Sequence, residues 1–68
     1  MNIKNLINLA ESGDADAVYS LGESYMNETT IDKAIKYFTI GAEHGSSLCM
    51  HMLSAAIAKK IVYAEKEQ

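Results

Sequence analysis

An all-α fold of four helices, built as stacked pairs, follows from three observations on the 68-residue chain. No proline interrupts it, so helices can run without losing an internal hydrogen bond. Apolar residues recur at every third or fourth position in four separate segments, which is the period of one helix face. Finally, Ala10-Glu11-Ser12-Gly13 returns as Ala42-Glu43-His44-Gly45, and Leu21 returns as Leu53, each after 32 residues. A period of that size belongs to helix pairs whose apolar faces are buried only by stacking on their neighbours.

The first helix is expected over residues 2–12, where Ile3, Leu6, Ile7 and Ala10 share a face. Gly13 supplies a left-handed cap, and Asp14 caps the next helix. That second helix is expected over 15–27, with Ala17, Val18, Leu21, Gly22 and Tyr25 facing inward. Asp14 and Asp16 sit at its start, where the helix dipole favours negative charge. Asn27-Glu28-Thr29-Thr30 is a polar turn, in which Thr29 and Asp32 have the spacing of a capping box. The third helix then runs to His44 on the apolar positions Ile31, Ala34, Ile35, Phe38 and Ala42. Gly45 ends it, Ser46 or Ser47 caps the fourth, and the fourth covers 47–64. Residues 1–64 form one helical-repeat domain, with 65–68 as a frayed tail.

Gly22 and Gly41 lie inside helices, where glycine costs about 1 kcal/mol relative to alanine. The position of Gly22, next to Leu21 and one turn from Tyr25, points to a packing need. A missing Cβ lets a ring or helix approach closely.

A chain this short buries only about 60% of its unfolded surface and struggles to exceed about 3–5 kcal/mol of stability unaided. Its single cysteine, Cys49, forms no internal disulfide. Stability therefore rests on close helix packing, self-association or a partner. Net charge is −3, but unevenly spread. Residues 1–34 hold two lysines against six carboxylates, net −4, and residues 35–68 hold four lysines against three, net +1. The chain contains no arginine, the best side chain for bidentate phosphate or guanine contacts, so direct nucleic-acid binding is not expected. No stretch has the continuous apolar core of a signal peptide or membrane span. The expected location is the cytoplasm.

Leu21-Gly22-x-x-Tyr25 followed by Ala34 and Phe38 resembles the signature of the tetratricopeptide (TPR) superfamily. Lys33-Ala34-x-x-Tyr37-Phe38, with Ala42-Glu43-x-Gly45 leading into the next helix, is closer to the Sel-one-like repeat (SLR) branch. Ala17 and Leu21 lie four and eight residues after Gly13, and Cys49 and Leu53 lie at the same offsets after Gly45. The chain departs from the SLR pattern in its short, glycine-free 26–30 loop and in its last helix. There Ser54 and Ile57 stand where the glycine and tyrosine fall. The resemblance implies one full repeat, about 14–45, flanked by two half-repeats: a mini α-solenoid of four antiparallel helices.

It also implies a protein–protein interaction module without catalysis, an adaptor or scaffold. In such arrays the first helix of each pair lines a groove for partner segments. By resemblance that groove carries Asp16, Tyr19, Ser20, Glu23, Met26 and Asn27, with His51, Met52, Ala55 and Lys59 from the last helix. Tyr19, Glu23 and Met26, together with Met52, Lys59 and Tyr63, are the expected partner contacts. Acidic with an aromatic anchor, the groove suits a basic or amphipathic segment. The last helix is apolar on more than one face, from Leu48 to Ala64, so something beyond the third helix should cover it. A homodimer formed through Leu48, Met52 and Val62, or a heterologous protein, would do so. The alternative function is that of a small stand-alone acidic inhibitor, of phage or mobile-element type, which occludes a functional surface of a host enzyme or nucleoprotein complex.

Chemistry finds little footing. His44, Cys49 and His51 are the one cluster of metal-ligand types, but residues two apart on a helix diverge by about 200°. No nucleophile has a plausible base, and no glycine-rich loop is present to cradle phosphate. Neither an enzyme, a metal nor a cofactor is expected. Asp32 is expected to support Lys36 through i, i+4 pairing on the helix surface.

Overall fold

Two left-handed glycines divide the chain. In the computed structural model, which describes residues 3–66, Gly13 and Gly45 have φ of +93° and +87°, and each ends a helix. The helices are α1 (Ile3–Glu11), α2 (Ala15–Ser24), α3 (Ile31–Glu43) and α4 (Ser47–Lys66); the described residues include no strand. The all-α expectation holds. At α1 the Gly13 amide donates to the Ala10 carbonyl and the Asp14 amide to the Leu9 carbonyl, both at 3.0 Å. At α3 the Gly45 amide donates to Ala42 and the Ser46 amide to Gly41, again at 3.0 Å. This pair of bonds is the Schellman motif, which needs a left-handed residue and so favours glycine.

The residue after each glycine opens the next helix. Asp14 Oδ1 accepts from the Ala17 amide at 2.9 Å, and Ser46 Oγ accepts from the Cys49 amide at 3.1 Å. Of the two serines named as candidate caps, Ser46 is the one. The two Schellman bonds and the N-cap bond of the first connector therefore each have an equivalent 32 residues later.

The middle connector differs from expectation. Thr29 does not cap α3. The N-cap is Thr30, with no side-chain capping bond. Asn27 takes over instead: its Oδ1 accepts from the Thr29 hydroxyl at 2.8 Å and from the Thr29 and Thr30 amides at 3.1 and 3.2 Å. Thr30 Oγ1 donates to the Tyr25 carbonyl at 2.9 Å. An Asx turn thus satisfies the Thr29 amide that Asp32 was expected to serve. Asp32 is turned elsewhere, with Oδ1 2.7 Å from Lys60 Nζ of α4 rather than towards Lys36. The boundaries shift accordingly. α2 stops at Ser24 with Tyr25 as its C-cap, and α4 continues through Glu65 and Lys66. Residues 1, 2, 67 and 68 lie outside the described residues.

Each helix packs on its neighbours in sequence; α1 also touches α3 and α2 touches α4, but α1 and α4 do not meet. The Cα atoms span 37 × 24 × 12 Å. The absence of an α1–α4 contact makes this an open layer of helices, because a closed bundle would bring α1 against α4.

The core is made by the two helix glycines. A Cβ on Gly22 would overlap the Phe38 ring, and one on Gly41 would overlap Cys49 and sit 3.0 Å from Val18 Cγ1. Phe38, Leu21, Val18 and Cys49 are fully buried around these contacts. The packing role expected for Gly22 is present, and Gly41 has the same role. Tyr37 is also buried, stacked on Tyr25 with centroids 5.9 Å apart and planes inclined by 13°. Gly22→Ala should therefore destabilise by about 1–3 kcal/mol through overpacking, despite a helix-propensity gain of about 1 kcal/mol. Combining it with Phe38→Leu should cost less than the sum of the two single changes. Urea unfolding of the four proteins measures this coupling, and strict additivity would contradict the contact.

Candidate functional site

Five of the seven large apolar side chains exposed among the described residues belong to α4. Twenty residues long, it buries only Cys49 and Ala56. Leu48, Met50, Ile57, Ile61 and Val62 are exposed, and Met52, Leu53 and Tyr63 are half-buried. Helical spacing sorts them into two flanks. Met50, Ile57 and Ile61 lie on one side of the buried Cys49–Ala56 line, while Leu48, Ala55 and Val62 lie on the other with Lys59 beside them.

The expected partner contacts fall on and just beyond α2 and on α4. Asp16, Tyr19 and Glu23 share the outer face of α2; Asp16 and Glu23 are exposed and Tyr19 is half-buried. Met26 is half-buried but stands beyond the helix end, its amide donating to the Glu23 carbonyl at 3.1 Å. On α4, Met52, Lys59 and Tyr63 follow one another at helical spacing, Lys59 exposed and the others half-buried. Of the residues expected in self-association, Leu48 and Val62 are exposed and Met52 is partly covered.

Tyr19 ties α2 to its neighbours. Its ring centroid is 6.4 Å from that of Phe38, with planes inclined by 57°. Hydrogen bonding to the Glu23 carboxylate raises the phenol pKa above 10.0, with help from partial desolvation and from the charges of Glu23 and Cys49. Burial raises the Tyr37 phenol as well, followed by the effects of Tyr25 and Glu11. On the opposite surface Lys33 Nζ lies 5.3 Å from the centre of the Tyr25 ring and Lys36 Nζ 5.6 Å from that of Tyr37. Both lysines therefore reach ring faces.

The histidines and the cysteine stand apart from one another. His44 Nδ1 is 2.9 Å from the Ile40 carbonyl; a carbonyl only accepts, so this nitrogen carries the proton. Cys49 is buried and free while His51 is exposed. Among the described residues no three His, Cys, Asp or Glu side chains are grouped to hold a metal ion. No helix among them is long and apolar enough to cross a membrane.

Two features escaped the sequence reading. The Met50–Ile57–Ile61 flank was legible from its seven- and four-residue spacing, yet was merged into a general apolar character of the helix. The second is a surface cavity of about 240 Å³ between α1 and α2, lined by Leu6, Leu9, Asp14, Asp16, Ala17 and Ser20. Its floor depends on how α1 sits against α2, which no local spacing shows. No protein-family model, curated protein or solved structure matches this chain.

The Tyr19–Glu23 contact is open to direct test. Glu23→Gln removes the carboxylate charge, so the Tyr19 phenol should titrate closer to 10. Spectrophotometric titration of tyrosinate in the wild type, Glu23→Gln and Tyr19→Phe assigns the transition. An unmoved Tyr19 midpoint would rule out the contact.

Proposed function

We propose that this chain is a TPR/SLR-like helical array that acts as a non-catalytic protein-interaction module in the cytoplasm. The observation that carries the reading is α4: a 20-residue helix with two buried side chains and five large apolar side chains exposed. Exposed apolar surface concentrated on one element marks an interaction site in a soluble domain. The open layer supports the same reading, because stacked helices leave extended faces available along the array. In this account Tyr19, Glu23 and Met26 together with Met52, Lys59 and Tyr63 contact a partner segment. Tyr19 is the aromatic anchor and Glu23 favours a basic or amphipathic ligand. The free, buried Cys49 is in keeping with a reducing compartment.

The exposed carboxylates Asp14, Asp16 and Glu23 along α2 favour a second reading, a small acidic inhibitor that covers a basic surface. Ionic strength separates the two. Contacts between exposed charges are screened beyond about 10 Å at 0.1 M salt, whereas apolar contacts are not.

Affinity capture with the intact protein, repeated with Tyr19→Ala and Glu23→Lys, tests the proposal. The adaptor reading expects a defined protein retained at moderate salt. Tyr19→Ala should weaken its binding by roughly thirtyfold, equivalent to about 2 kcal/mol. Steep loss with salt and with Glu23→Lys, but not with Tyr19→Ala, favours the inhibitor. If no protein distinguishes the wild type from both variants, the α2 surface is not the binding site.

A further inference from the structure

The open flank of α4 has a covered counterpart within the same chain. α2 starts at Ala15 and α4 at Ser47, 32 residues apart and behind the same connector. On α2 and its C-cap the side facing α3 carries Val18, Gly22 and Tyr25; Val18 is fully buried. Adding 32 gives Met50, Ser54 and Ile57. Here Met50 is 49% and Ile57 45% exposed. α4 thus offers to solvent the side that α2 offers to α3.

The opposite end of the layer has a matching gap. α2 rests against Phe38 and Gly41 of α3, through Gly22 and Val18, and it also touches α4, whose Cys49 occupies the space beside Gly41. Subtracting 32 from Phe38, Gly41 and Cys49 gives Leu6, Leu9 and Ala17. All three line the 240 Å³ cavity between α1 and α2. The cavity lies where, by the internal correspondence, another helix of the α2–α4 kind belongs.

We infer that copies of this chain join head to tail, α4 of one molecule filling the α1–α2 cavity of the next in the register that α2 keeps with α3 and α4. Side-chain sizes agree with that register at its centre. Gly22 against Phe38 becomes Ser54 against Leu6 of the neighbour, the larger residue on one side offset by the smaller on the other. Val18 beside Gly41 becomes Met50 beside Leu9, larger on both sides, so α4 must stand further from α1 there than α2 does from α3, with the flexible methionine taking up the difference. Charge agrees as well. The cavity rim carries the exposed carboxylates Asp14 and Asp16, whereas α4 has no carboxylate from Ser47 to Ala64 and carries His51, Lys59 and Lys60. The −4 half of the molecule meets the +1 half of its neighbour. Because donor and acceptor surfaces differ, the contact is heterologous and builds chains or rings rather than a twofold dimer. It uses the Met50–Ile57 flank, leaving Leu48 and Val62 outside, and it requires no foreign partner. Its failure would therefore leave the adaptor reading intact, and the reverse also holds.

Sedimentation velocity of the purified protein over a wide concentration range tests the inference. Ile57→Asp disables the α4 surface and Leu9→Asp the cavity; both positions are exposed, and circular dichroism checks that helix content is kept. Should either variant lose helix, Ile57→Ser or Leu9→Ser takes its place with the same readout. The wild type should grow beyond dimer mass with concentration, and each variant alone should remain monomeric. An equimolar mixture of the two should form one-to-one pairs and nothing larger, since each supplies the half the other lacks. Val62→Asp should assemble like the wild type. A wild type that stays monomeric throughout, or a Leu9→Asp protein that assembles unchanged, overturns the inference.

Discussion

The repeated connector is the constraint on which the rest depends. A left-handed glycine closes one helix through two backbone bonds, and the next residue immediately caps the following helix. With no free residue between the two motifs, the chain has little choice of exit angle. The same geometry at Gly13–Asp14 and Gly45–Ser46 therefore sets α2 on α1 and α4 on α3 in the same manner. Gly22 and Gly41 then let the helices close on Phe38 and Cys49. Placement repeated in this way generates a layer, and a layer has two unfinished edges.

Those edges account for the distribution of apolar surface. The interior helices α2 and α3 bury nine residues between them, whereas α1 and α4 bury three. A closed bundle of the same helices would have covered Ile57 and Met50 by bringing α1 across to α4. The layer keeps the two apart and leaves both with a face that resembles an interior surface. The proposed binding function would follow from this architecture, because an exposed apolar edge is suited to contact another surface. The exposed Asp32–Lys60 bridge adds little to stability, because surface pairs contribute about 0–1 kcal/mol.

The fold was largely legible because its signals are local. The absence of proline, the 3–4 spacing and the glycine-terminated Ala-Glu-x-Gly motif each act within a few residues, and together they placed four helices to within about three residues at each end. The capping of α3 was misread because Thr29 and Asp32 have suitable spacing, yet Asn27 takes the Thr29 amide from closer range and Thr30 becomes the N-cap. Tyr37 was not expected in the core because its burial depends on stacking with Tyr25 across two helices. The candidate surface was legible only as composition. Which flank of α4 is covered, and that a cavity opens beside Leu9, depends on the relative placement of helices.

The most direct measurement is a set of proton–proton contacts in a dilute, monomeric sample by nuclear magnetic resonance. The account predicts contacts from the Gly22 Hα protons to the Phe38 ring and from Gly41 to Cys49, with none between α1 and α4. Strong contacts between side chains of α1 and α4 in that sample would mean a closed bundle, and the open-edge explanation of α4 would be contradicted.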